Sequence, residues 1–144
     1  MNHKVTITSM MLAASSVFAI DPNWSSNQWD NFTTAIRQVE TGGMPNNGIG
    51  AVGDGGDAIG PMQIHEACFK DAVVYDKSLS THSYRECLTD ASLSKRVCIA
   101  YIKRYLPKGG TPGDAARIWN GGPNGYKRSS TLEYLRRFLK IFRK

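Results

Sequence analysis

Three acidic side chains, Glu40, Asp54 and Asp57, have positions in the sequence that suit acid–base chemistry. Glu40 lies at the predicted end of a helix, where the negative partial charge of the C-terminus disfavours a carboxylate. The apolar neighbour Val39 acts in the same direction by desolvation. Both effects raise the pKa of Glu40, whereas Arg37 would lower this pKa if it pointed to the same side. A carboxylic acid still protonated near neutral pH can donate a proton to a leaving oxygen.

The second group of carboxylates lies in the glycine-rich segment 44–60. Asp54 stands between Gly53 and Gly55, where a backbone without side chains can approach a ligand closely. A carboxylate near a protonated carboxylic acid is the pairing that glycosidases use. Asp-Gly is also a common turn sequence, so a structural role for Asp54 is an equal alternative. The sequence does not decide between Asp54 and Asp57 as the second carboxylate.

Helical segments must position these groups, and the pattern predicts a mainly α-helical (α+β) domain. The first helix is expected to start at Ser25 or Ser26 and to end at Gly42 and Gly43. Its predicted apolar stripe is Trp29, Phe32, Ile36 and Val39. The segment 44–60 predicts a small glycine-rich β-hairpin or loop between the first two helices.

Four further helices are predicted after the glycine-rich segment. Their expected limits are Pro61 to about Tyr75, Thr89 or Asp90 to before Pro107, Thr111 to Trp119, and Ser130 to the C-terminus. In the last helix a capping box of Ser130 and Glu133 is expected. Its predicted apolar stripe consists of Leu132, Leu135, Leu139 and Phe142.

Several motifs in the correct order resemble the lysozyme-like superfamily, and most closely the invertebrate-type (destabilase-like) lysozymes and their bacterial relatives. These motifs are Val39-Glu40-Thr41-Gly42, Gly53-Asp54-Gly55-Gly56, Gly60-Pro61-Met62-Gln63-Ile64 and Asn120-Gly121-Gly122-Pro123-Asn124-Gly125. The resemblance covers about residues 30 to 135. It implies a muramidase that cleaves peptidoglycan between N-acetylmuramic acid and N-acetylglucosamine. It also implies Glu40 as general acid, Asp54 as second carboxylate, and Gln63, His65 and Asn120 as residues that line the sugar cleft.

Two other functions remain open at this point. The segment Trp119-Asn120-Gly121-Gly122 resembles the Tyr-Asn-Gly turn of lytic transglycosylases, with Trp in place of Tyr. A lytic transglycosylase would use Glu40 alone. A non-catalytic cell-wall-binding protein of the same fold is the second alternative. For Gln63 and Asn120 a structural role in tying loops together competes with sugar binding, and His65 could be a solvent-exposed helix residue. Trp119 is expected to belong to the core.

The N-terminal segment predicts a signal peptide of residues 1–19, followed by a catalytic domain of residues 20–144. Lys4 gives a basic start, an apolar segment follows, and a cleavage site is expected after Ala19. The predicted location is therefore secreted or periplasmic, which is compatible with an antimicrobial role.

Charge and cysteine content complete the predictions. The chain carries a net charge of +6, with four basic and ten acidic residues in 20–94 but thirteen basic and two acidic residues in 95–144. We expect bacterial peptidoglycan and anionic wall polymers as partners, rather than nucleic acid or stable membrane insertion, and a monomer. Three cysteines would permit one disulfide in an oxidising compartment, with the pairing open. Their spacing fits no zinc motif, so we predict no metal and no cofactor.

Overall fold

The computed structural model describes residues 23–142. In chain order, this part contains α1 (Ser26–Thr41), β1 (Val52–Gly53), β2 (Ala58–Ile59), α2 (Glu66–Tyr75), α3 (Ala91–Tyr105), α4 (Pro112–Gly121) and α5 (Leu132–Phe142). The predicted mainly α, α+β fold with a small hairpin between the first two helices is confirmed. The predicted signal peptide lies outside the described residues. Among the helices described, none has the length and apolar character needed to cross a membrane.

The first helix forms as its sequence predicts. A capping box closes its start, because Ser25 Oγ accepts from the backbone N–H of Gln28 while Gln28 Oε1 accepts from the backbone N–H of Ser25. Trp29, Phe32 and Ile36 are buried along one face. This apolar face fixes α1 on the core and thereby fixes the direction in which the helix end points.

The two short strands form an antiparallel hairpin, with Val52 opposite Ile59 and Gly53 opposite Ala58. Gly60, at the end of the hairpin, has a φ of +72°, and a Cβ there would lie 1.9 Å from the Cys87 carbonyl oxygen. Only glycine fits this position, because other residues disfavour positive φ and have no space for the side chain. The hairpin is therefore pressed against the backbone that precedes α3.

The second helix begins at Glu66, five residues later than the predicted start at Pro61. Gln63 adopts a left-handed φ of +51°, which no α-helix accommodates. Ile64 forms an isolated antiparallel bridge with Ile59, with hydrogen bonds of 2.9 and 3.1 Å in the two directions. The segment from Pro61 to His65 thus continues the hairpin region instead of starting the helix.

Side-chain caps define the starts of α3 and α4 close to the predicted positions. Asp90 Oδ1 accepts a 2.8 Å hydrogen bond from the backbone N–H of Leu93. Thr111 and Asp114 form a capping box with Pro112 in the first turn. These bonds satisfy backbone N–H groups that have no partner within a helix.

The last helix differs from the prediction in its start and in its buried face. It begins at Leu132, and Glu133 bonds Arg136 at 2.5 and 2.8 Å instead of forming a capping box with Ser130. Leu132 is half exposed, whereas Tyr134 and Phe138 are buried. Of the predicted stripe, only Leu132 is exposed, whereas Leu139 and Phe142 are partly buried against the core. Aromatic side chains provide the buried contacts of this helix.

The helices share one hydrophobic core. Helix α2 packs on α3, and α5 packs on both α1 and α4. Phe32 of α1 and Phe138 of α5 bring their rings to a centroid distance of 5.6 Å. This aromatic contact fixes the last helix beside the first, across most of the length of the chain.

All three cysteines are unpaired, so the structure contains none of the possible disulfides. Cys87 and Cys98 are buried and Cys68 is partly buried. Burial raises the pKa of each thiol above its usual value of 9.0, to about 11 for Cys87. The thiolate form is therefore disfavoured, and these side chains act as small apolar groups of the core.

Candidate active site

A cleft of about 240 Å³ opens where the end of α1, the hairpin, the start of α2 and the end of α4 meet. The residues that line it are Glu40, Asp54, Ala58, Gln63, Ile64, His65, Cys68, Trp119 and Asn120. Five of the residues that the sequence singled out for catalysis or sugar binding belong to this set, whereas Asp57 does not. The fold thus brings together side chains from four separate segments of the chain.

Glu40 occupies the last turn of α1 and is partly buried in the wall of the cleft. Its Oε1 accepts a 2.7 Å hydrogen bond from the hydroxyl of Tyr134 in α5. Trp119 of α4 lines the same cleft and is among the groups that lower the pKa of Glu40. The carboxyl group is therefore held by a hydrogen bond from α5 beside an indole of α4.

Burial raises the pKa of Glu40 above its ordinary value of 4.5. The hydrogen bond from Tyr134 lowers this pKa, and so do Arg137, Trp119 and His65. Desolvation is nevertheless the largest contribution, and the resulting shift is upward. The predicted direction of the shift agrees with the structure, and its main cause is the desolvation that the sequence suggested.

The arginine that acts most strongly on Glu40 is Arg137 of α5, which lowers its pKa. The sequence drew attention to Arg37, one turn before Glu40 in α1. Sequence proximity was a poor guide in this case because α5 lies directly against α1. The cation with the largest effect on the pKa of Glu40 therefore comes from the opposite end of the chain.

Asp54 lies at the tip of the hairpin with a left-handed φ of +50°. Its side chain is 71% exposed, and its Oδ2 lies 3.4 Å from Nε2 of His65, which is 49% exposed. Because water reaches both side chains, this contact contributes little to stability. Its effect is to hold a carboxylate and an imidazole together at the mouth of the cleft.

Asp57, the other candidate for the second carboxylate, is exposed and is not one of the residues that line the cleft. Its backbone carbonyl accepts a 2.8 Å hydrogen bond from the hydroxyl of Tyr84. This bond ties the hairpin to the segment before α3. The geometry therefore favours Asp54 over Asp57 as the partner of Glu40.

Gln63 lines the cleft and also supports the hairpin. Its Nε2 donates a 3.0 Å hydrogen bond to the Gly60 carbonyl. Its Oε1 lies so close to Gly53 that a Cβ on this glycine would be 2.2 Å away. The structural role considered for this amide is thus present, and it coexists with exposure to the cleft.

His65, Trp119 and Asn120 complete the lining on the α2 and α4 sides. His65 is the residue before α2, not a residue of its second turn, and its side chain makes no capping hydrogen bond. Trp119 packs edge-on against Tyr101 at 5.8 Å, as expected for a core residue, yet it also forms part of the cleft wall. Asn120 is exposed at the end of α4.

Tyr134 is the important contact that the sequence did not reveal. It lies 94 residues after Glu40 and no motif includes it. The only available signal was its position in a C-terminal amphipathic helix, where the leucines were given the buried face. A register that placed Tyr134 and Phe138 inward would have indicated a buried hydroxyl that needed a partner.

Comparison with known proteins gives matches to oyster lysozymes. Over 55 residues the chain is 40% identical to a lysozyme of Magallana gigas, and over 55 residues it is 38% identical to a lysozyme of Ostrea edulis. Each match covers 36% of this chain and 40% of the length of that lysozyme. No protein-family model matches the chain. The relationship to invertebrate-type lysozymes that the motifs indicate is thus supported over part of the chain.

Taken together, the cleft contains a carboxyl group with a raised pKa, a solvent-exposed carboxylate and several amide and aromatic side chains. The first can donate a proton and the second can stabilise positive charge or attack carbon. Amide groups and an indole suit the hydroxyl groups and apolar faces of sugars.

Proposed function

We propose that the protein is a peptidoglycan hydrolase of the lysozyme type, which cleaves the bond between N-acetylmuramic acid and N-acetylglucosamine. The observation that carries this proposal is the pairing of Glu40 and Asp54 in one cleft, with the pKa of Glu40 raised by burial. The partial identity to oyster lysozymes supports the same class of reaction.

In the first step, Glu40 donates its proton to the glycosidic oxygen. The bond between this oxygen and the anomeric carbon breaks, and the leaving sugar departs with the new hydroxyl group. Burial supports this role because it keeps the Glu40 carboxyl protonated above the pH at which a solvated glutamate has ionised. Positive charge develops on the anomeric carbon as the bond breaks.

In the second step, Asp54 meets this positive charge, either by bonding to the anomeric carbon or by activating a water molecule for attack there. Its side chain suits this role because it lines the cleft beside Glu40 and is accessible to water. Water then supplies the hydroxyl of the new reducing end, and one proton returns to Glu40. The site is regenerated without any cofactor.

We assign Gln63, His65 and Asn120 to substrate binding. These side chains line the cleft and offer amide and imidazole groups to a ligand there. The N-acetyl and hydroxyl groups of the two sugars offer matching donors and acceptors. His65 is also close enough to Asp54 to orient its carboxylate.

Charge on α5 and the turn before it supports contact with an anionic wall. Exposed basic side chains occur at Arg128, Arg136, Arg137 and Lys140. The buried Tyr134 and Phe138 hold the apolar side of α5 on the core, which favours wall binding over membrane disruption. We propose that the protein acts outside the cytoplasm as a monomer.

Mass spectrometry of digested peptidoglycan tests the proposal. A lysozyme releases fragments with reducing N-acetylmuramic acid ends, and Glu40→Gln should abolish their release. Glu133→Gln makes the same charge change at an exposed position of α5 and should leave digestion unchanged. Persistent digestion by Glu40→Gln would remove Glu40 from the mechanism.

A lytic transglycosylase that uses Glu40 alone is the second candidate. The left-handed φ of +50° and the high exposure of Asp54 support it, because both are typical of a simple turn residue. Such an enzyme would produce 1,6-anhydro ends, which differ in mass from reducing ends by one water. The same digest therefore distinguishes the two reactions.

A non-catalytic wall-binding protein is the remaining alternative. Pelleting with insoluble peptidoglycan measures binding separately from cleavage. Under the proposed function, wild type both binds and releases fragments, whereas Glu40→Gln binds without releasing them. Binding by wild type without any released fragment would show that the cleft is not catalytic.

A further inference from the structure

The hydroxyl of Tyr134 is buried beside the carboxyl group that we propose as the proton donor. Tyr134 is only 3% exposed, and its hydroxyl donates to Oε1 of Glu40 at 2.7 Å. We propose that Tyr134 is a positioning residue of the proton donor, which engages Oε1 so that the acidic proton resides on Oε2. This inference rests on the proposed function, because it assumes that Glu40 donates a proton to substrate.

The hydrogen bond from Tyr134 determines which of the two carboxyl oxygens of Glu40 carries the acidic proton. A protonated carboxyl group has one oxygen that accepts hydrogen bonds and one that carries the proton. In the structure the Tyr134 hydroxyl donates to Oε1 of Glu40. Burial raises the pKa of Tyr134 well above its usual value of 10.0, so the hydroxyl keeps the proton that this bond requires. Oε1 of Glu40 is therefore the accepting oxygen, which leaves Oε2 as the one that carries the proton.

The same contact favours the transfer itself. After the proton leaves, Glu40 becomes a carboxylate, and a hydrogen bond to a charged acceptor is stronger than one to a neutral acceptor. Tyr134 thus stabilises the product of the proton transfer more than its starting state. An interaction that strengthens along the reaction lowers the barrier rather than only improving binding.

The position of Tyr134 is fixed by the packing of α5. One turn later, Phe138 is fully buried and contacts Phe32 of α1, the helix that carries Glu40. On the other side, the guanidinium carbon of Arg137 lies 5.4 Å from the centre of the Tyr134 ring. Neither the ring nor its hydroxyl can move without disturbing the contact between the first and last helices.

The test compares Tyr134→Phe with Tyr105→Phe. Tyr105 offers a matched control because its hydroxyl also donates 2.8 Å to a carboxylate, that of Asp71, away from the cleft. We expect Tyr134→Phe to lower kcat about ten-fold, the usual scale for loss of a hydrogen bond to a charged group, with little change in KM. Tyr105→Phe should match wild type in both constants.

The pH profile separates positioning from a merely structural role. The Tyr134 hydrogen bond lowers the pKa of Glu40, so its removal should raise that pKa. The alkaline limb of kcat/KM, where the acid loses its proton, should then move to higher pH. Carbon-13 NMR of the Glu40 carboxyl should show the same direction of change without depending on activity.

Thermal unfolding checks that the variants are folded. If Tyr134→Phe does not fold, 3-fluorotyrosine at position 134 provides a second test, because a more acidic hydroxyl donates more strongly and should move the alkaline limb to lower pH. An unchanged limb and unchanged kcat in folded Tyr134→Phe would overturn the inference, even where Glu40→Gln is inactive. Full lysis by Glu40→Gln would instead overturn the proposed function.

Discussion

His65 Nε2 lies 3.4 Å from Asp54 Oδ2, so the residue that precedes α2 contacts the tip of the hairpin. The two segments meet at the cleft that Glu40 of α1 also lines. Both side chains are substantially exposed, and such pairs rarely add more than about 1 kcal/mol to stability. The contact is therefore better explained by the chemistry of the cleft than by the stability of the fold.

The role of Asp54 can be tested by Asp54→Asn, with Asp57→Asn as the matched control. If Asp54 is the second carboxylate, the first variant should lower the rate of peptidoglycan hydrolysis by about 100-fold or more. The control removes an equal charge three residues away, outside the cleft lining, and should retain wild-type activity. The measurement is the rate of release of reducing ends from purified peptidoglycan.

Retention of hydrolysis by Asp54→Asn would contradict a catalytic role for this residue. The nature of the products then decides between the remaining mechanisms. Anhydro ends in both wild type and variant would support transglycosylation by Glu40 alone.

The raised pKa of Glu40 predicts a pH-dependent cost to stability. In the unfolded chain Glu40 has its ordinary pKa of 4.5, whereas in the folded chain its pKa is higher. Between these two pKa values the unfolded chain has lost the Glu40 proton and the folded chain still holds it. Rising pH therefore destabilises the fold across this range. Glu40→Gln removes this effect. We expect its Tm to exceed that of wild type at pH 7, and the difference to shrink as the pH falls towards 4.5 and to disappear below that value.

Glu133→Gln should show the opposite trend. Its hydrogen bond with Arg136 lowers the pKa of Glu133, so the stability it contributes is present at neutral pH and is lost as the pH falls. A Tm series from pH 3 to 8 for both variants would reveal the two signs. A Glu40→Gln variant less stable than wild type at pH 7 would contradict the assigned direction.

The close approach of Gly60 to Cys87 predicts a large effect of a single methyl group. Gly60→Ala adds a carbon 1.9 Å from the Cys87 carbonyl oxygen at a φ of +72°. We expect a loss of stability greater than about 3 kcal/mol and a marked loss of activity, because the hairpin must move. Gly109→Ala has a similar φ of +74° with no atom within 4 Å of the new carbon, and should cost only about 1 kcal/mol. Urea unfolding of both variants measures the difference, and equal losses would exclude the steric explanation.

The exposed basic residues of the C-terminal region predict that added salt slows the lysis of intact cell walls but not the cleavage of small glycans. Electrostatic attraction to anionic polymers weakens as the Debye length falls to about 8 Å near physiological ionic strength. We expect the rate of whole-cell lysis by wild type to decrease with added NaCl. In the double variant Arg128→Gln, Lys140→Gln, added NaCl should cause a smaller decrease. Cleavage of small uncharged glycan fragments should not change. A salt effect of equal size on both substrates would indicate a different cause.

Much of the framework follows from local sequence. Ser25 with Gln28 and Thr111 with Asp114 satisfy the first N–H groups of their own helices, so these boundaries are visible in a few adjacent residues. The glycine-rich segment predicts a hairpin because no helix tolerates that composition. Glu40 itself could be identified because its helix end and the Gly60 segment follow each other in a fixed order.

The remaining features depend on contacts between distant segments. Gln63 leaves the helical region because Ile64 pairs with Ile59 and Thr41 donates a 2.9 Å hydrogen bond to the Pro61 carbonyl. Tyr134 turns inward because α5 packs on α1 and α4 at once. Neither outcome is encoded in a local propensity, since each is decided by which surfaces meet after the helices have formed.

The three unpaired cysteines bear on how the chain reaches its working form. Because the core closes by packing alone, no oxidation step separates synthesis from the native structure. Buried thiols of raised pKa exchange only slowly with external disulfides. Production in an ordinary bacterial cytosol, without foldases for disulfide bonds, is therefore compatible with this architecture.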